Sequence, residues 1–357
     1  MKQAMPLPGH VPLIVATRGD AVESVYYGSL AVAAADGRLL AAAGDCTFPM
    51  FTRSTLKPFQ ALPFVADGGP AHFGFSPAQV ALMCASHSGE PRHLAGVADM
   101  LARIACDEAA LQCGSHAPLF YAATGRAPPA DLAASPLHHN CSGKHAGFLA
   151  WCRLHGQPTA TYLDPAHPLQ RAIRRRLARL LGLRTNALPL GIDGCGAPNY
   201  ALPLACLAQA YARLASPGAP PPLATLFAAM TGHPEMVAGE ARNDLLLMQA
   251  AAGDWVAKGG ADGVQALGVR SRGLGIALKI ADGSPRALQT ALAAILDRLG
   301  LLPADGASPL APWRAGEIRN AAGRLTGRLL PVFELVRPGA AQESGGAGGG
   351  DRQESAA

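Results

Sequence analysis

Apolar positions along this chain follow two periods, and the change from one to the other divides it into three stretches. From Val11 to Asp45 they fall in short β-rich runs, Val25–Leu30 among them, with an Asp36-Gly37 turn between alanine-rich segments, a pattern that predicts strands. A helix is then expected to open near Ser54, and another at Ser76-Pro77, where a capping serine precedes a proline suited to the first helical position. A third follows Ser88-Gly89-Glu90-Pro91, with Ser88 as its cap and Leu94, Val97, Leu101 and Ile104 on one face. Helices are expected at Leu169–Leu181, Tyr200–Leu214, Leu223–Met230 and Ala241–Ala251, interrupted by the proline-rich joint at 216–222. Strands return at Val264–Val269 and Gly275–Ala281, flanking a Ser271-Arg272-Gly273 turn. A helix opened by Ser284-Pro285 and a last strand over Leu325–Leu335 follow.

With strands at both ends, the economical architecture is α/β of the α+β kind: one sheet built from the two termini, with flanking helices and a large helical insertion. The expected unit runs over 11–337, with 11–60 and 255–337 forming the sheet subdomain and 61–254 a mainly helical one. Residues 338–357 offer too little apolar surface to offset chain entropy and are expected to be a disordered tail.

Composition narrows the classes. The 357 residues are 49% hydrophobic, but their apolar runs fall well short of the ~20 residues of a bilayer span. The run Val11–Ala16 is shorter than the ~7–15 residues of a secretory core and lacks a small-residue cleavage site. A soluble cytoplasmic protein is expected, with no membrane partner. Eight scattered cysteines then read as thiols or metal ligands rather than disulfides. Only five of the 30 basic residues are lysine, so each lysine stands out, and those at 57, 144 and 258 fall in motif-like stretches. A desolvated lysine can lose its proton, which arginine does not do. The arginines at 171, 174, 175, 176 and 179 lie opposite Leu169, Ile173, Leu177 and Leu180 on one amphipathic helix, a solvated face rather than a nucleic-acid surface.

Four stretches carry chemistry. Ser54 and Lys57 form a Ser-x-x-Lys pair that a helix would place on one face, so that a neutral Lys57 could take the serine proton while amides at the helix start hold an oxyanion. The same spacing fits a capped helix with a surface lysine. Cys84-Ala85-Ser86-His87-Ser88 offers Ser86 as a second candidate, with Lys258, read in a glycine-rich loop, as its possible partner. His138-His139-Asn140-Cys141-Ser142-Gly143-Lys144-His145 and Gly191-Ile192-Asp193-Gly194-Cys195-Gly196 are dense in ligand atoms. Cys141 and Cys195 are either zinc thiolates or structural thiols, and Lys144 joins them only as a neutral amine.

Taken together, Arg53–Pro58, Ala85–Gly89, His139–His145 and Gly191–Gly196 resemble the Rhizobium-type L-asparaginases, over about Val11–Leu335. The resemblance implies hydrolysis of L-asparagine to L-aspartate and ammonia, a fold like the serine β-lactamases, a homodimer, and zinc near the substrate. Residue by residue it implies the nucleophile at Ser54 with Lys57 as base, a second pair at Ser86 and Lys258, and zinc on Cys141, Lys144 and Cys195. Asp193 would stand beside the metal and meet the substrate's ammonium group. Arg53 would reach its carboxylate or serve as a structural ion pair. The rivals are a glutaminase, another serine amidohydrolase or a β-lactam-recognising protein of the same fold, and a non-catalytic zinc-stabilised binding protein. Absence of Ser-Asp-Asn and Lys-Thr-Gly counts against the β-lactam reading.

Overall fold

Eleven strands lie within residues 6–303 and 308–338, the residues that the structure, a computed structural model, describes. They are β1 (Val11–Arg18), β2 (Ala21–Ala34), β3 (Leu39–Ala43), β4 (Pro49–Phe51), β5 (Leu190–Ile192), β6 (Pro198–Pro203), β7 (Trp255–Gly260), β8 (Val264–Val269), β9 (Leu274–Ile280), β10 (Glu317–Arg319) and β11 (Leu325–Pro331). Eight form a curled antiparallel sheet in the order β10-β11-β1-β2-β9-β8-β7, with β3 on β2. The long β2 gives one edge to β1 and then to β3, and pairs with β9 along the other, Gly28 opposite Ile280 and Ala34 opposite Leu274. The chain is thus a mixed α/β protein whose large sheet comes from its two ends, while residues 57–250 are mainly helical. The tail expected from residue 338 lies, past its first residue, outside the described residues.

Both alternating sets of side chains on β8 and β9 are buried, because helices pack against these strands. The closest is Leu204–Ala215, and two glycines let it in. A Cβ on Gly275 would stand 1.9 Å from the Ala208 carbonyl oxygen, and one on Gly268 would stand 2.3 Å from that of Tyr211. Real Cβ contacts do not reach such distances, so the sheet must be bare of side chains along this seam. The same helix then reaches the next layer, its Tyr211 hydroxyl donating to the Thr55 carbonyl at 2.7 Å.

Several expectations hold. Ser76 caps Pro77–Met83 with a full capping box, Ser284 caps Pro285–Arg298, and Val264–Val269 is a strand. Others need correction. The helix expected from Tyr200 begins at Leu204, because Pro198–Pro203 is a strand of a small sheet, β4-β6-β5, that the pattern did not announce. The last strand stops at Pro331, which has no amide to continue the ladder; Val332 N still donates to Leu13 O at 2.9 Å, and beyond it the chain bridges back to the sheet at Val336, opposite Ala42. Ser88 does not cap the helix Pro91–Arg103. Glu90 stands at its N-cap, its amide donating to His93 Nδ1, while the buried Ser88 hydroxyl makes no hydrogen bond. Lys258 lies on β7, not in a loop. Among the described residues no helix is long and apolar enough to cross a membrane.

Candidate active site

The small sheet brings distant segments together. β4 runs into Thr52 and Arg53, the β5–β6 hairpin carries Asp193 and Cys195 at its turn, and β6 carries Asn199. Arg53 has φ +49°, a left-handed conformation that costs a non-glycine residue on the order of 1–3 kcal/mol. Asn199 holds it there from both sides: Arg53 N donates to Asn199 Oδ1 and Asn199 Nδ2 donates to Arg53 O, each at 3.0 Å. Gly260 closes the third side, since a Cβ on it would lie 3.2 Å from the Ser54 amide nitrogen. Ser54 therefore sits on a strained turn whose backbone is fixed, inside the 3-10 turn Arg53–Leu56 that runs into the α-helix Lys57–Ala66.

Opposite it, the helix Pro77–Met83 gives way to an extended segment pinned at every step. Ser86 N donates to Val237 O at 3.0 Å, His87 N to Asn140 O at 3.2 Å and Ser88 N to Ala238 O at 2.7 Å. Lys57, 1% exposed, directs its amine here: Nζ donates to Ser86 Oγ at 2.9 Å and to the Ala85 carbonyl. The sequence reading paired Lys57 with Ser54. A buried amine takes the acceptors that surround it, and these come from a segment about thirty residues on, so the hydrogen bonds of Lys57 go to Ser86 and Ala85. Ser54 is half-buried, and both serines line one cavity of about 570 Å³ together with Asn140, Asp244, Gly260 and Asp262. That size suits a small-molecule site.

The ligand-type residues form a second layer behind Lys57. Cys141 stands at the N-cap of the helix Ser142–Leu154, which carries Lys144. Lys144 Nζ donates to Cys195 Sγ at 2.9 Å, and Cys141, also buried, lies one helical turn before Lys144. The neighbouring Cys195, with the charges of Lys57 and Lys144, outweighs burial and holds the Cys141 thiol well below its usual range. Burial opposes the Lys144 charge, but the Cys195 and Cys141 sulfurs raise its pKa all the same. Among the described residues no three His, Cys, Asp or Glu side chains gather as a metal cluster, so a metal here would have to take the Lys144 amine. Two adjacent buried sulfurs and an amine are donors that suit zinc, once Lys144 yields the proton that the sulfurs now hold on it. The chemistry of this donor set fits.

Asp193 and Arg53 meet each other: Arg53 Nε donates to Asp193 Oδ1 at 2.9 Å, and the guanidinium also pairs with Asp262. Burial pushes the Asp193 carboxyl up, but Lys144, the Gly194 amide and Arg53 more than offset it and leave its pKa lowered.

A strained serine turn and a second serine held by a buried lysine line one cavity, with a thiol–amine cluster packed behind that lysine. The family model for L-asparaginase II matches residues 14–331, nearly the whole described chain. This chain belongs to the L-asparaginase II family. It is accordingly an asparaginase-type enzyme whose substrate is a small molecule, asparagine. No curated protein matches the chain. Among solved structures it is similar to a β-lactamase of Mycobacterium bovis, with 14% identity over 76% of this chain and 94% of that one, and a TM-score of 0.32. A likeness of that degree carries no argument.

In this asparaginase, Lys258 does not reach Ser86. Its amine, fully buried on β7, donates to Asp244 Oδ2 at 3.1 Å and to the Gly259 carbonyl at 2.6 Å, and Asp244 Oδ1 accepts from Gln265 Nε2 at 2.9 Å. Asp244 and Asn199 escaped the sequence reading because each acts through partners far along the chain. The nearest signal was chemical: a lysine on a buried strand requires a counter-charge. His87, prominent in its motif, is structural: Nε2 meets Ser142 Oγ at 2.8 Å, Nδ1 accepts from the Gly89 amide, and burial pushes its pKa well down.

Burial pulls the Lys258 amine down to about 8, against the Asp244 carboxylate that favours its charge and with help from the Lys57 cation. Lys258 is therefore charged below that pH and neutral above it, and kcat/KM is expected to show an inflection near pH 8. Replacing Asp244→Asn removes the carboxylate that favours the charged form, so the inflection moves to lower pH. An unchanged profile in that variant would place this titration outside the reaction.

Proposed function

We propose that this chain hydrolyses L-asparagine to L-aspartate and ammonia by an acyl-serine route in which Lys57 is the base, as in the Rhizobium-type, β-lactamase-like members of its family. The observation that carries the reading is the 2.9 Å contact between the buried Lys57 amine and Ser86 Oγ in a cavity that Ser54 also lines. Ser54, on its braced turn, attacks the side-chain carboxamide in the form of the enzyme whose Lys57 amine is neutral, and the Ser54 hydroxyl proton passes through Ser86 to that amine. Lys57 returns it to the departing ammonia, and water then cleaves the ester to free aspartate. Backbone amides at the Ser54 turn stabilise the oxyanion. The Lys258 charge, held by Asp244, adds positive potential on the other side. Arg53 and Asp193 exchange part of their mutual pairing for the substrate's carboxylate and ammonium groups. Cys141, Lys144 and Cys195 would hold zinc, which when bound supplies positive charge beside the substrate. The Lys57–Ser86 contact also favours a second reading in which Ser86 attacks directly.

The test is ammonia release from L-asparagine and L-glutamine, followed by mass spectrometry of quenched Ser54→Ala and Ser86→Ala proteins. Release from asparagine, with an acyl adduct that survives Ser86→Ala and is lost in Ser54→Ala, supports the first assignment. The reverse pattern supports the second, and folded protein inert on both substrates overturns the activity. The same family resemblance carries a homodimer, which light scattering checks.

A further inference from the structure

The cavity that Ser54 and Ser86 line is larger than asparagine fills. At about 570 Å³ it falls in the range of about 300–1,000 Å³ that takes drug-sized ligands, and beyond the serines it is walled by Leu119, Arg242, Leu288 and Gln289. Arg242 stands apart from the other half-buried arginines. Arg53, Arg174, Arg176 and Arg213 each donate to an oxygen of the protein, and Arg270 lies over the Phe227 ring. Among the described residues the Arg242 side chain makes no hydrogen bond and no ion pair. The carboxylate nearest in sequence, Asp244, is already taken, its two oxygens accepting from Lys258 and Gln265. A cation drawn out of water without a counter-charge is costly, and burial accordingly lowers the pKa of the Arg242 guanidinium. The backbone that carries it is fixed all the same. Ala241, at φ +57°, turns the chain just before it, and Asn243 just after it is tied to the helix Pro285–Arg298, Oδ1 accepting from Gln289 Nε2 at 2.9 Å. The far end of the cavity thus joins apolar walls to a guanidinium that has no acceptor.

We propose that this site also hydrolyses β-aspartyl dipeptides, the amides that the side-chain carboxyl of aspartate forms with a second amino acid, with Arg242 holding the carboxylate of the departing residue and Leu119 and Leu288 flanking its apolar side chain. The proposal rests on the acyl-serine reading above, in which Arg53 and Asp193 hold the aspartyl half beside Ser54. That placement leaves the amide nitrogen facing the rest of the cavity, which has more room than ammonia needs and enough for an amino acid. A guanidinium meets a carboxylate with two parallel N–H donors, so the acid group of the departing residue is the feature selected. Atoms balance as they do for asparagine. The amide C–N bond breaks as the serine ester forms, the serine proton reaches the departing amine by way of Lys57, and water then frees aspartate and restores the serine.

The experiment measures kcat/KM of the purified protein for L-asparagine, β-aspartyl-leucine and β-aspartyl-leucinamide, which differs from the dipeptide only in lacking the carboxylate. Wild type is expected to release leucine from the dipeptide, with kcat/KM about 10–100-fold above that for the leucinamide compound, the range for losing a charge-assisted hydrogen bond. In Arg242→Gln that ratio falls to near one, and Arg242→Lys, which keeps the charge without the fork, retains part of it. Because the ratio compares two substrates on one protein, a variant that is partly unfolded still reports it. Protein that releases ammonia from asparagine but nothing from either β-aspartyl compound overturns the proposal and leaves the asparaginase reading standing. A wild-type ratio near one, or a wild-type ratio kept in Arg242→Gln, overturns the role of Arg242. Folded protein inert on all three substrates overturns the acyl-serine reading on which the proposal rests.

Discussion

Replacing Lys57→Met is expected to lower kcat/KM for asparagine by about 10³-fold or more, the range for losing a general base that also activates a nucleophile. Methionine fills most of the volume but cannot take a proton from Ser86 Oγ, 2.9 Å from the native amine. Lys57→Arg separates the base from the charge: a guanidinium keeps its proton, so the variant should be as inactive as Lys57→Met. An active Lys57→Arg would show that positive charge alone is wanted at this position. Full activity in Lys57→Met, in protein that melts normally, would end the Lys57 mechanism.

The second large effect concerns stability. Gly275→Val is expected to cost about 3 kcal/mol or more, because its Cβ would begin 1.9 Å from a backbone oxygen and the helix Leu204–Ala215 would have to lift off β9. On the scale of ~2–4 °C per kcal/mol, the melting temperature should fall by roughly 6–12 °C. Gly218→Ala, where an added Cβ meets nothing within 4 Å, serves as the control and should melt like wild type. Lifting the helix also pulls the Tyr211 hydroxyl from the Thr55 carbonyl, one residue from Ser54, so activity should fail at temperatures where the variant is still folded. A Gly275→Val protein that melts with wild type would mean the seam is not the tight contact described.

What the sequence announced and what it withheld divide along the range of the interactions. Ser76-Pro77, Ser284-Pro285 and the β-rich run Val264–Val269 are local signals, each settled within one turn or one strand, and each element is where the pattern put it. The strands at the two ends were legible as one sheet because their apolar runs had no other surface to cover. The candidate site was legible as residue types but not as partners. Ser-x-x-Lys suggested a contact inside one turn, whereas the acceptors of Lys57 are at 85 and 86. Gly259 and Gly260 diluted the strand pattern around Lys258, although Gly260 is a glycine because β7 runs against the Ser54 amide. Asn199 and Asp244 give no local sign, since their partners lie 14 to 147 residues away.

The pairing of β2 with β9 also has a meaning for how this enzyme is made. Gly28 meets Ile280, and at about 5–20 residues per second the roughly 250 residues between them take on the order of 10–50 s to emerge from a ribosome. Throughout that time the apolar edge of β2 has no strand to take it, while the helical stretch can collapse on its own contacts. Newborn chains therefore wait half-built, with a sticky edge that favours aggregation or a chaperone's grip. A message cut short before the codon for Leu274 yields a polypeptide that can never close its sheet.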